Sequence, residues 1–203
     1  MNSSINAPTY AIDDRVSFRA SLLAMLVVLL GCGFLYSLAG AALGRVLFPH
    51  AATGSMIERD GKAVGSEWVA QPFGAARYFQ PRPSSANYDP MAAAGSNASR
   101  TNPDMRKRID EAVIAVAERE GIPPAQVPGE LVTTSGGGMD PHVSPQAAQV
   151  QVARVAKARG LDVTDVEGMV ATYTEAPQFG LLGQPRVNVL KLNLALDELQ
   201  QKQ

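Results

Sequence analysis

ASLLAMLVVLLGCGFLYSLAGAALG, residues 20–44, carries no charged side chain and lies between Arg19 and Arg45. At about 1.5 Å per residue, a helix of this length spans a hydrocarbon core of roughly 30 Å. Inside lipid every backbone N–H and C=O must be bonded within the segment, so a single span has to be a helix. The stretch therefore predicts one transmembrane helix. A short tail, residues 1–19, precedes it and reads as unstructured, with Asn, Ser, Pro and Thr ahead of Asp13-Asp14-Arg15. Residues 45–203 are expected to form a small soluble domain on the other side.

Two signals inside the span resemble processing sites. Leu29-Leu30-Gly31-Cys32 is similar to a lipoprotein cleavage box, and Ser37-Leu38-Ala39 to a small-x-small signal-peptidase site. The apolar run continues past Cys32 to Gly44, where a lipoprotein would turn polar. It also exceeds the roughly 7–15 apolar residues of a signal h-region. Retention of the span is expected. Cys32 is the only cysteine, so no disulfide can form within the chain and the compartment cannot be read from cysteine usage. Arg15 and Arg19 before the span balance Arg45, Arg59 and Lys62 after it, so charge does not set the orientation.

The span has a small-residue face. Gly33, Ser37, Gly40 and Gly44 recur at steps of four, three and four, which aligns them on one side of a helix. Gly40-Ala41-Ala42-Leu43-Gly44 is a GxxxG, a pattern that lets two helix backbones approach closely in lipid. These four residues are candidate partner-binding positions. With no charge in the span, this helix cannot form an ion path alone.

The remainder is close to neutral. Of the 18 Lys and Arg and 19 Asp and Glu, only Asp13, Asp14, Arg15, Arg19 and Arg45 precede Val46. No basic field of the kind that draws nucleic acid is present. Met56-Ile57-Glu58 and Trp68-Val69-Ala70 read as hairpin strands around an Asp60-Gly61 turn. Residues 71–103 have loop composition but carry Phe73, Tyr78, Phe79 and Tyr88, and aromatics argue against disorder. Long loops in small domains are usually functional. Arg82, between Pro81 and Pro83, is held on a stiff backbone. It either bonds loop carbonyls or contacts a partner subunit.

Asn102-Pro103-Asp104 predicts the start of a helix with Met105, Ile109, Ala112, Val113 and Val116 facing the core, ended by Gly121. Glu130-Leu131-Val132-Thr133-Thr134 reads as a strand, broken by Ser135 and the run Gly136-Gly137-Gly138. Ser144-Pro145 starts a second helix that Gly160 ends, with Ala148, Val152 and Val155 inward. A third runs from about Thr164 to Tyr173, with Val166, Met169, Val170 and Tyr173 on one side. Residues 187–194 read as a last strand whose alternation slips near Leu190, followed by a charged helical tail. The fold class is mixed α/β: one N-terminal transmembrane helix plus one small α/β soluble domain of three helices and four or five short strands.

No catalytic arrangement emerges. His50 and His142 lack the partners of a zinc site. Ser135, Asp140 and His142 crowd into one short stretch, whereas triad residues converge from separate elements. The glycine run has no following lysine and does not open a helix as a P-loop would. Catalytic and metal-ligating residues are therefore assigned to none.

Several stretches, taken in order, resemble one family. They are Met56-Ile57-Glu58-Arg59-Asp60-Gly61-Lys62 with Gly65-Ser66-Glu67, Tyr78-Phe79-Gln80-Pro81-Arg82-Pro83-Ser84, and Gly95-Ser96-Asn97 with Thr101-Asn102-Pro103. Leu131-Val132-Thr133-Thr134-Ser135, Met139-Asp140-Pro141-His142-Val143-Ser144-Pro145, residues 154–161 and residues 183–196 complete the set. The chain resembles the C subunits (KdpC) of bacterial Kdp potassium-transporting ATPases from the span onward. It departs at Pro81, where members often have Gly, and at Ala98-Ser99-Arg100, where a GPS-like run is common.

The resemblance implies a non-catalytic subunit of a high-affinity potassium pump in the bacterial inner membrane, with its large domain outside the cytoplasm. Its implied partners are a channel-like potassium-translocating subunit, a P-type ATPase subunit and a small single-span subunit. The implied role is that of a catalytic chaperone that raises the ATPase subunit's affinity for ATP and supports assembly. ATP is the implied cofactor, shared with that subunit. Gln151, just before Arg154-Val155-Ala156, corresponds to a family glutamine proposed to contact nucleotide. A domain outside the cytoplasm cannot touch cytoplasmic ATP, so coupling would then run through helix packing or assembly. The alternatives are a purely structural cap over the potassium entrance of the transport subunit and an unrelated membrane-anchored binding domain.

Overall fold

The apolar stretch forms a continuous helical rod from Phe18 to Leu47, long and apolar enough to cross a membrane, with a mean hydropathy of 2.4 in its most apolar window. The structure, a computed structural model, describes residues 18–201. The expected N-terminal tail therefore lies outside the described residues, except that Phe18 and Arg19 already belong to the helix. The rod consists of α1 (Phe18–Val28), a π-helical stretch (Leu29–Leu35) and α2 (Tyr36–Leu47). At the end of the π stretch the Tyr36 N–H donates to the Gly31 carbonyl, one residue further back than in an α-helix. The wider turn brings a step of four residues nearer to one full turn. Gly33 thus stays over Ser37, and Ser37, Gly40 and Gly44 follow on α2.

The chain divides after Thr53 into two units. The first holds the rod and a short helix, α3 (Pro49–Ala52). The second begins with a hairpin of β1 (Met56–Arg59) and β2 (Lys62–Ser66). Asp60 (φ 52°) and Gly61 (φ 72°) are both left-handed, as a tight two-residue hairpin turn requires. That turn sets Lys62 directly opposite Arg59, so the second strand starts at once. The expected strand at Trp68-Val69-Ala70 is corrected accordingly: those residues follow β2, and the Ala70 N–H donates to the Met139 carbonyl.

α4 (Pro103–Glu120) starts and stops as its sequence dictates. Asn102 accepts the Met105 N–H, and Gly121 takes the left-handed conformation at the end (φ 69°). The expected strand at residues 130–134 is instead a 3₁₀ turn, Gly129–Leu131. Pro128 enters it, and both the N–H and the hydroxyl of Thr133 donate back to the Gly129 carbonyl, which closes a helical turn.

The expected second helix is two helices, α5 (Pro145–Gln149) and α6 (Val152–Arg159), with Gln151 at the break. The Ala147 carbonyl would ordinarily accept the backbone N–H of residue 151. It accepts the Gln151 side-chain amide instead, while that N–H donates to Ala148. A side chain inserted into the helical ladder is a recognised cause of a break. α7 (Val163–Thr172) buries Val166 and Val170 as its periodicity predicts.

The last strand is much shorter than expected. β5 is only Arg186–Asn188, and α8 runs Val189–Gln201. Asn188 explains the switch: its side-chain oxygen accepts the Lys191 N–H and caps α8. β5 is the middle strand of a three-stranded antiparallel sheet, between β3 (His142–Val143) and β4 (Thr174–Glu175). Val143 and Val187 from this sheet meet Val155, Val166, Leu192 and Leu196 from the helices in one core, and Phe79 from the long loop is fully buried among them.

Candidate functional site

The long loop of residues 71–102 enters the core at Phe79, and burying its backbone there requires hydrogen-bond partners. Two side-chain amides supply them. The Phe79 N–H donates to Asn193 Oδ1 at 2.8 Å, and Asn193 Nδ2 donates to the Phe79 carbonyl at 3.0 Å. The Gln80 N–H donates to Gln151 Oε1 at 2.8 Å, and Gln151 Nε2 donates to the Gln80 carbonyl at 3.2 Å. Each carboxamide thus pairs with both polar groups of one residue, as a neighbouring strand would. Asn193 comes from α8 and Gln151 from the break between α5 and α6.

Arg154, one turn after Gln151, completes the clamp. Its guanidinium donates to Gln151 Oε1 at 2.9 Å and to the carbonyls of Tyr78 and Ala76. It also donates to the Glu120 carboxylate at 2.8 Å. The Glu120 side chain is fully buried and accepts from Arg119 as well. Arg159 extends the row, donating to the Arg77 carbonyl and pairing with Asp197 at 2.9 Å. Residues 76–78 are thereby fixed to α6 by charge-assisted bonds.

Gln151 is fully buried. Its two amide hydrogens go to Gln80 and Ala147, and its oxygen accepts from Gln80 and Arg154. All the donor and acceptor positions a glutamine side chain has are occupied. The sequence pointed to Gln151 but missed Asn193, Arg154 and Glu120. A signal for Asn193 existed: Val189, Leu192, Asn193 and Leu196 recur at helical spacing, which places an asparagine in an apolar stripe.

Arg82 lies further along the same loop and is partly buried. Its guanidinium donates to the Thr134 carbonyl at 3.3 Å and lies 3.5 Å from the Asp140 carboxylate. The Tyr88 hydroxyl donates to the Arg82 carbonyl. Opposite, the glycine run lies against the loop. A Cβ on Gly95 would stand 2.5 Å from the Gly136 carbonyl oxygen, and one on Gly138 would stand 2.8 Å from that of Ala94. Backbone packs on backbone there, which only glycine permits.

Asp140 joins these parts. Half-burial would raise its pKa, but hydrogen bonds from the His142 ring and backbone, with the charges of His142 and Arg82, hold it below the usual carboxylate value. The Ser135 hydroxyl oxygen takes the Asp140 N–H, and among the described residues no hydrogen bond joins Ser135 to His142. A carboxylate with a lowered folded-state pKa contributes stability above its ordinary value, and that contribution is lost as pH falls through the folded value. Asp140→Asn is therefore expected to lower the melting temperature at pH 7 and to flatten the fall in stability between about pH 5 and pH 3. Equal acid sensitivity in the two proteins, followed by circular dichroism, would count against this.

On the rod, nothing lies within 4 Å of a Cβ placed on Gly33 or Gly40, and only the Ala52 Cβ, at 3.9 Å, approaches one on Gly44. Among the described residues, Ala52 alone comes within 4 Å of a Cβ placed on any of these three glycines, so their side of the rod is bare. Among the described residues no group of three or more His, Cys, Asp or Glu is placed to hold a metal ion.

These features define an apolar helical rod joined to a small α/β domain whose buried polar side chains hold its own long loop. The description of the K+-transporting ATPase c chain, KdpC, matches residues 18–198. The chain belongs to the KdpC family. It is 56% identical over 184 residues to the potassium-transporting ATPase KdpC subunit of Xanthomonas campestris pv. campestris strain B100, covering 91% of this chain and 88% of that one. It is 50% identical to those of Shewanella putrefaciens (88% and 89% covered) and Methylococcus capsulatus (90% and 97% covered).

Proposed function

We propose that this chain is a non-catalytic subunit of an ATP-driven potassium uptake complex, one that raises the ATPase subunit's affinity for ATP and stabilises assembly. The observation that carries this reading is the bare small-residue face of the rod, in a chain of the KdpC family. In lipid such a face gains stability only from another helix, because hydrophobic burial offers no driving force there. On this reading residues 18–47 cross the inner membrane and Gly33, Ser37, Gly40 and Gly44 receive a helix of a partner subunit. The soluble domain lies outside the cytoplasm, and Arg82 stands near a partner contact on its surface.

ATP stays on the ATPase subunit. Coupling is then a shift in the populations of that subunit's states, brought about by differential packing of the rod, with no nucleotide contact from this chain. Gln151 acts by holding residues 79–80 in place. Omitting this chain from a reconstituted complex is expected to raise the ATPase KM for ATP at least about fivefold, as a coupling free energy of 1 kcal/mol or more requires. An unchanged KM, with potassium affinity altered instead, would favour a purely structural cap.

A further inference from the structure

The second unit carries one apolar projection that neither its core nor the assembly reading uses. Residues 176–185, APQFGLLGQP, contain no charge. Gln178 and Leu182 bond to each other through both backbone groups, at 2.8 and 2.9 Å, and so close a tight tip. On that tip Phe179 is 84% exposed, Leu181 86% and Leu182 61%. The exposure is built in. Phe179 holds a left-handed φ of 55°, which a bulky side chain rarely adopts, and glycines with φ of 73° and 87° follow at Gly180 and Gly183. At the base stands Trp68, half exposed, with the Arg186 guanidinium 5.8 Å from its ring centre.

We propose that this tip inserts into the lipid surface of the membrane that anchors the chain. A cleft of about 670 Å³ at the base of the tip is lined by Trp68, Gln178, Leu182 and Arg186 but not by Phe179 or Leu181, and a fluid apolar phase accepts those two side chains without shape matching. The uncharged tip above a tryptophan and an arginine matches the order of a membrane interface, where aromatic rings and long basic side chains sit at headgroup level. Covalent connection supplies the proximity. Segment 48–55 links the rod to β1 and includes α3, so it reaches less than the roughly 28 Å that eight fully extended residues would span. A domain so tethered experiences the bilayer at high effective concentration, so a small apolar tip suffices. The inference rests on residues 18–47 crossing the membrane, and otherwise goes beyond the assembly reading.

Trp68 is the only tryptophan, which makes a clean test available. The full chain carrying Trp68→Phe and Phe179→Trp is reconstituted alone in nanodiscs of neutral phosphatidylcholine, with plain or brominated acyl chains. Co-elution of chain and nanodisc in gel filtration reports the anchor independently of the tip. Insertion predicts at least about twofold lower emission in brominated lipid and protection from aqueous iodide. Leu181→Trp in the same background should behave alike. Emission indifferent to bromine and quenched by iodide at both positions would overturn the proposal. Iodide protection that arises only when the other pump subunits are added would overturn it too, and would assign the tip to a protein partner.

Discussion

Replacing Gly40 and Gly44 by leucine is expected to reduce recovery of the assembled complex at least about tenfold, equivalent to about 1.4 kcal/mol of lost association. The chain itself should be unharmed. Among the described residues a Cβ on Gly40 meets nothing within 4 Å and one on Gly44 meets only the Ala52 Cβ at 3.9 Å, so neither substitution starts with a clash in its own chain. Leucine also favours helix over glycine by roughly 0.5–1 kcal/mol. Any loss must therefore arise between helices, where added bulk holds the backbones apart. Ala42→Leu, on the opposite side of α2, is the control and should assemble normally. The measurement is co-purification with a tagged partner subunit, with membrane levels of this chain compared in parallel. Normal recovery of the Gly40→Leu plus Gly44→Leu complex would remove the rod's face from the account.

The second large effect concerns the clamp. Gln151→Met keeps nearly the same volume but removes every hydrogen bond of the side chain. The Gln80 N–H and the carbonyls of Gln80 and Ala147 would then lie in the interior without that partner. Each buried group left unsatisfied costs about 1–3 kcal/mol, so a total of about 3–5 kcal/mol is expected. That is a large share of the roughly 5–15 kcal/mol that keeps a domain folded. At about 2–4 °C per kcal/mol, the melting temperature should fall by roughly 6–20 °C. Thermal unfolding of the full chain in detergent, followed by circular dichroism, checks this. A residue kept only for nucleotide contact would change the melting temperature little.

Local signals in the sequence announced the elements that depend on neighbours in the chain. The uncharged run 20–44 needed only its length to be read as a helix, and Asn102-Pro103 with Gly121 marked both ends of α4. The hairpin turn at Asp60-Gly61 is legible, and its tight register, with Lys62 opposite Arg59, puts the second strand directly after it and ahead of Trp68. Residues 187–194 resemble a strand because Val, Leu and Asn alternate there, and only the Asn188 side chain, which caps α8, marks the helix that begins one residue later.

The clamp was less accessible for a physical reason. Gln151 breaks its helix by bonding the Ala147 carbonyl with a side chain that also pairs with Gln80, and Asn193 sits in an apolar stripe because it holds Phe79. Both choices answer backbone groups of a loop far away in sequence. A resemblance of motifs drew attention to Gln151. Its hydrogen bonds show what the side chain does in the fold: it stands in for a missing strand.

Calorimetric titration of ATP into the full chain in detergent tests most directly whether this subunit acts by contact alone. No saturable heat up to millimolar ATP is expected. Saturable binding that disappears in Gln151→Met, with the domain still folded at the temperature of the titration, would contradict it.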